Sequence, residues 1–186
     1  NPSANNNFGQ SIVVLNTGNV VIASQTADIG GITDCGAVYL YNGTTGALIS
    51  TLYGTTANDN VGSQGVTALP NGNFVVRSPL WASAGAATGR GAVTWVNGTT
   101  GLAATVSAAN SLVGSAVTDR VGSDGVVALP NGSYLVRSGL WTNNGASNAG
   151  AVTWVPASGA LFGEVSAANS LVGASQADTV GQAPIT

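Results

Sequence analysis

Apolar residues along this chain fall into short β-branched runs separated by turn dipeptides. Between Val61 and Arg120, Val66 to Leu69 makes one run and Phe74 to Ser78 the next, with Pro70-Asn71-Gly72-Asn73 between them. That pattern predicts two strands joined by a tight turn. Asn-Gly is the pair that best tolerates the positive φ angles of a type I′ hairpin. A polar, Gly- and Ala-rich loop over Ala82 to Arg90 follows, then a third strand from Gly91 to Val96. Asn97-Gly98-Thr99-Thr100-Gly101 reads as another turn and Leu102 to Ser107 as a fourth strand. The segment is a predicted four-stranded antiparallel meander. Nothing sustains helical periodicity, and Val106 to Val113 is the one candidate for a helical turn.

The meander recurs. Val121 to Thr179 aligns with Val61 to Arg120 and shares Ala-Leu-Pro-Asn-Gly, Val-Arg-Ser, Leu-Trp, Gly-Ala-Val-Thr-Trp-Val and Val-Ser-Ala-Ala-Asn-Ser-Leu-Val-Gly. A shorter, divergent unit precedes them: Leu15-Asn16-Thr17-Gly18-Asn19 stands where Leu69-Pro70-Asn71-Gly72-Asn73 does, and Gly36 to Tyr41 matches Gly91 to Val96. The boundaries are an N-terminal extension over 1–7, repeats over 8–60, 61–120 and 121–179, and the start of a further repeat or a closing strand over 180–186. A fixed period of this kind decides fold class before any other signal. One four-stranded unit leaves two faces and two edges bare, so neighbours must cover it. The predicted fold is all-β: tandem antiparallel units arranged as β-propeller blades, with an open β-solenoid-like stack as the alternative.

Composition narrows the function. Charged residues make up 6% of the chain, against about 25% in ordinary soluble domains. The surface is solvated mainly by Asn, Thr, Ser and backbone, which leans toward an extracellular or cell-surface location. A formal net charge of −3 lacks the basic footprint of a nucleic-acid binder. No apolar run approaches a membrane span, and the first residues do not resemble a signal peptide. With no His, imidazole-based triads and relays are excluded. Cys35 is alone, so it reads as a small packed residue, or else as a thiol pairing outside the chain.

These landmarks resemble a known family. Phe8-Gly9-Gln10-Ser11 through Gly36-Ala37-Val38-Tyr39-Leu40-Tyr41 to Thr45-Gly46-Ala47-Leu48 is similar to an FG-GAP repeat, the blade of integrin α-type propellers. The later units resemble a bacterial variant in which Val-Gly-Ser replaces Phe-Gly, found in large secreted or adhesin-like proteins. Many FG-GAP blades carry a calcium loop before the third strand. Here that loop spans Gln25 to Cys35, Ala82 to Arg90 and Thr142 to Ala149, and only the first holds carboxylates, Asp28 and Asp34. Calcium takes six to eight oxygens, so no cofactor is expected, and Asp28 with Asp34 remain weak metal candidates.

The other polar residues mostly recur. Asp59, Asp119 and Asp178 each sit two residues before the Val-Gly that opens the next unit, as expected of a carboxylate accepting backbone N–H bonds in a turn. A catalytic pair needs two carboxylates converging on one site. Arg77 and Arg137 share a mid-strand position and are expected to reach a carboxylate such as Asp119 or Asp124, or to lie over a Trp. Trp81 and Trp141 follow the second strand, and Trp95 and Trp154 lie in the third. They read as packing between units, with Trp81 and Trp141 as candidates for carbohydrate stacking if exposed. Asn42, Asn97 and Asn131 fit the glycosylation triplet, but the turns already call for Asn there. The expectation is a non-enzymatic extracellular structural or adhesive repeat protein, self-associating or part of a longer surface protein or fibre. Its alternative is a lectin-like module binding a glycan or a cell-surface protein. Three units fall short of the about four blades that a closed ring needs, so further repeats or self-association are expected partners.

Overall fold

The computed structural model describes residues 6–82 and 89–183. Among them there is no helix, and three sheets follow one another along the chain. The first contains β1 (Ser11–Val14), β2 (Val20–Ser24), β3 (Ala37–Tyr41) and β4 (Leu48–Tyr53). The second contains β5 (Val66–Ala68), β6 (Phe74–Ser78) and β7 (Ala92–Val96), and the chain then runs through β8 (Ala104–Thr105) to β9 (Ser111–Val113). The third contains β10 (Gly125–Ala128), β11 (Tyr134–Ser138) and β12 (Ala151–Val155), followed by β13 (Gly163–Glu164) and β14 (Leu171–Val172).

Strand order departs from the simple meander at one point. The sheets read β1-β2-β3-β4-β8, β5-β6-β7-β9-β13 and β10-β11-β12-β14. The segment expected as the fourth strand of the second unit, Leu102 to Ser107, does not join its own sheet. Ala104 and Thr105 instead pair in parallel with Leu52 and Tyr53 of the preceding sheet. Gly163 and Glu164 pair likewise with Leu112 and Val113. The true fourth strands are β9 and β14, so the stretch considered for a helical turn ends in a strand.

The hairpin turns also differ from expectation. The amide of Gly72 donates to the Leu69 carbonyl at 3.0 Å and that of Leu69 to Asn73 at 2.8 Å. Gly72 has φ +85°, whereas Asn71 is not left-handed. Pro70 therefore sits at the second position of a type I turn, where its fixed φ fits, and Gly72 supplies a left-handed bulge.

Alternation across each strand builds two cores. Phe74, Val76, Ala92 and Val96 face the first sheet and join Val21, Ala23, Val38 and Leu40. Val75, Val93 and Leu112 face the third sheet and join Tyr134, Val136, Ala151 and Val155. The middle sheet is apolar on both faces because it is covered on both. Each unit opens with a Val-Gly pair over its predecessor: the amides of Val61, Val121 and Val180 donate to the carbonyls of Cys35, Arg90 and Ala149 at 3.1, 3.1 and 3.0 Å. Gly91, at φ +79°, passes so close that a Cβ would lie 2.2 Å from the Val121 nitrogen.

Candidate functional site

The chemistry-bearing residues gather at the junctions between units. Asp59 and Asp119 have no solvent exposure. Oδ2 of Asp59 accepts the amides of Thr55 and Thr56, both at 2.9 Å, and its Oδ1 accepts Ala82 of the next unit at 3.0 Å. Asp119 repeats this with Ser115 and Ala116 at 2.9 and 2.8 Å and Thr142 at 3.0 Å. Burial pushes the Asp59 carboxyl above its ordinary range, while the three N–H bonds oppose that rise. Asp178 caps its own turn through Ala174 and Ser175 at 2.9 and 2.8 Å but is exposed, with no third bond among the described residues. These carboxylates bind backbone and sit at separate junctions, which is not the geometry of an acid–base pair.

A second device was invisible as such in the sequence. Val-Ser-Ala-Ala-Asn-Ser is a crossover that carries the chain from the preceding sheet into its own. Val106 and Val165 donate to the carbonyls of Tyr53 and Val113, both at 3.0 Å, which ends the parallel pairing. Asn110 then clasps the turn: Oδ1 accepts the Ser107 amide at 3.0 Å and the Ser111 hydroxyl at 2.9 Å, and Nδ2 donates to the Thr105 carbonyl at 2.9 Å. Asn169 makes the same three bonds at 2.8 to 2.9 Å. The signal available was the recurrence of the motif itself, since six residues conserved between two units exceed what one strand needs.

The arginines bind carbonyls rather than the carboxylates expected of them. Nη2 of Arg77 donates to Gln64, and Arg137 reaches Gly181, Gln182 and Ala183 at 2.7 to 2.8 Å. A planar guanidinium suits such a fan of backbone acceptors. Both side chains thus steady an opening turn.

Trp81 and Trp141 are 3% and 4% exposed and lie in the first and second cores. They are not open stacking platforms, because each ring is buried in a core shared by two sheets. Trp141 contributes only to the wall of a shallow cleft of about 390 Å³ with Ser115, Thr142 and Val165. Trp95 packs under Gly159, where a Cβ would meet the ring at 2.2 Å, whereas Trp154 is 53% exposed.

Asp28 and Asp34 form a loop clasp: the Asp34 amide donates to Asp28 Oδ1 at 2.8 Å, across the bridge between Ile29 and Ile32. Among the described residues no group of three or more metal-binding side chains converges. The corresponding loop of the second unit falls largely at 83–88, outside the described residues. Cys35 is fully buried with its Sγ 3.3 Å from the Ala27 carbonyl, and burial raises its pKa. Oδ1 of Asn42 and of Asn97 each accepts two amides of its own turn, at 2.9 to 3.0 Å, and Asn131 accepts the Ser133 amide at 3.1 Å. Among the described residues no helix is long and apolar enough to cross a membrane.

Fold and junctions together define a tandem β-repeat protein whose units are tied by capped turns and shared strands. The chain belongs to the family described as "Repeat of unknown function (DUF5650)", whose model matches residues 14–63, 68–123 and 128–182. Each match starts within or just after the first strand of a sheet and ends beyond the Val-Gly that opens the next unit. No curated protein matches the chain.

Proposed function

We propose that this is a non-enzymatic structural repeat module of an extracellular or cell-surface protein, serving as a scaffold or adhesive spacer. The observation that carries the reading is where the polar chemistry is used. The carboxylates of Asp59 and Asp119, the amides of Asn110 and Asn169 and the guanidinium of Arg137 are all bonded to backbone at junctions between units. Residues consumed in this way hold units together and are not free for acid–base or nucleophilic work. The sheets are read as blades of a propeller-like array akin to FG-GAP repeats, on the support that the leading strands β1, β5 and β10 lie side by side. No calcium is assigned to the array.

The lectin-like alternative rested on exposed Trp81 and Trp141, and their burial removes that support. Two measurements on the native chain test the choice. Glycan-array screening is expected to show no saturable binding, and light scattering to show a monomer or an ordered self-associated species. A monomer that binds one glycan class with micromolar affinity would overturn the structural reading.

A further inference from the structure

The three sheets end differently, and the difference is specific. Leu112 is 1% exposed, packed against the third sheet with β13 of the following unit paired beside it, whereas its counterpart Leu171 is 72% exposed. Trp95 is covered by Gly159, whereas its counterpart Trp154 is 53% exposed. Asp59 and Asp119 each accept an amide from the following unit, whereas among the described residues Asp178 caps only its own turn. Edge, face and carboxylate acceptor of the third sheet are thus open together, in the arrangement that the first two sheets use to receive a neighbour. Val180 and Gly181 have already made the opening contact there, through the Ala149 carbonyl at 3.0 Å and the Arg137 guanidinium at 2.8 Å.

The first unit of a second copy is a poor match for this surface. Gly54 follows Leu40 by 14 residues, whereas Gly114 follows Trp95 and Gly173 follows Trp154 by 19, so the first unit is five residues short in the crossover. Its β4 runs straight from Leu48 to Tyr53 with no segment to give away. Where the second and third units present the amides of Ala82 and Thr142 to the preceding carboxylate, it carries Asp28. Asp28 has a backbone amide of its own at that position and its carboxylate is held by the Asp34 amide, so the missing crossover is what sets the first unit apart. The first unit receives a strand and gives none.

We infer that the open face and edge of the third sheet form an acceptor site for one further repeat of the second and third type, which inserts a crossover strand parallel to β14. By the established register, two donor residues lie opposite Leu171 and Val172, and the residue after them donates its amide to the Val172 carbonyl. A backbone N–H of the incoming unit satisfies Asp178, and its turn covers Trp154. This is strand addition at a sheet edge, with main-chain bonds giving affinity and an apolar face giving register. The inference rests on the scaffold reading above and names what that scaffold binds.

The test adds a duplicate of the 121–183 sequence after Thr179, with Phe at the duplicate's own copy of Trp154, beside a second extension of the same kind whose crossover is shortened by five residues. Acrylamide quenching, with Trp154→Phe to assign the signal, reads burial of Trp154. The expected result is loss of the quenchable Trp154 component in the full extension and its retention in the shortened one. Unchanged quenching in a folded full extension overturns the proposal, as does equal protection by both extensions. Protection in the unextended chain accompanied by dimerisation overturns it in favour of a second copy. Should an extension not fold, a synthetic peptide of the Pro156–Ser170 sequence titrated onto the unextended chain decides. Saturable protection of Trp154 supports the site, and none at millimolar peptide rejects it. None of these readings depends on glycan binding, so the scaffold function and the acceptor site fail separately.

Discussion

Asp119 and Asp178 stand at one repeat position with the same side chain, yet they do different amounts of structural work. Asp119 is buried and accepts Ser115, Ala116 and, across the junction, Thr142. Asp178 accepts Ala174 and Ser175 at the surface. An Asn in place of Asp keeps one acceptor oxygen and puts an N–H donor where the other stood. At Asp119 this sets donor against donor in a buried site, which costs about 1–3 kcal/mol. At Asp178 water replaces the lost partner and the cost is below about 1 kcal/mol. Urea unfolding of Asp119→Asn and Asp178→Asn measures the gap. Equal losses would show that the bond across the junction contributes nothing.

The crossover shows at the level of elements why the sequence misled. Its donated strands are two residues long, Ala104–Thr105 and Gly163–Glu164, too short for any alternation to be read. Their partners lie in the preceding sheet, so no local pattern names them. The Asn110 clasp sits between two strands that belong to different sheets, and Val-Ser-Ala-Ala-Asn-Ser-Leu-Val scans as one apolar run with a helical look. By contrast, the hairpins β5–β6 and β10–β11 and the strands β7 and β12 were legible, since five-residue β-branched runs and turn glycines are local signals. The burial of Trp81 and Trp141 was not, because the core that buries each ring is shared by two sheets. If the clasp fixes the crossover, Asn110→Ala removes two acceptor bonds and one donor bond and lowers stability by about 1–3 kcal/mol. A loss below about 0.5 kcal/mol, within the range of ordinary surface substitutions, would mean that the strand pairing holds the crossover unaided.

Across the whole molecule, sharing strands changes how the units depend on one another. In a plain stack of repeats, stability is a sum of unit terms and nearest-neighbour terms, and a weak interface lets an end unit open alone. Here each interface combines an apolar core with parallel backbone pairing and a carboxylate bond, so the second sheet loses its outer strand β13 if the third unit opens. Opening the first unit likewise strips β8 of its partner and bares the face of the middle sheet that carries Phe74 and Val76. The coupling terms therefore dominate, and the three units are expected to unfold together. Two tryptophans are placed to check this, Trp81 in the first core and Trp141 in the second. Urea titrations of Trp81→Phe and Trp141→Phe, followed by fluorescence and by far-UV circular dichroism, are expected to give one transition each, with the two probes coincident in either variant. Separate midpoints for fluorescence and dichroism would locate a junction that opens by itself. In that case the shared strands would bind neighbouring units without making them cooperative.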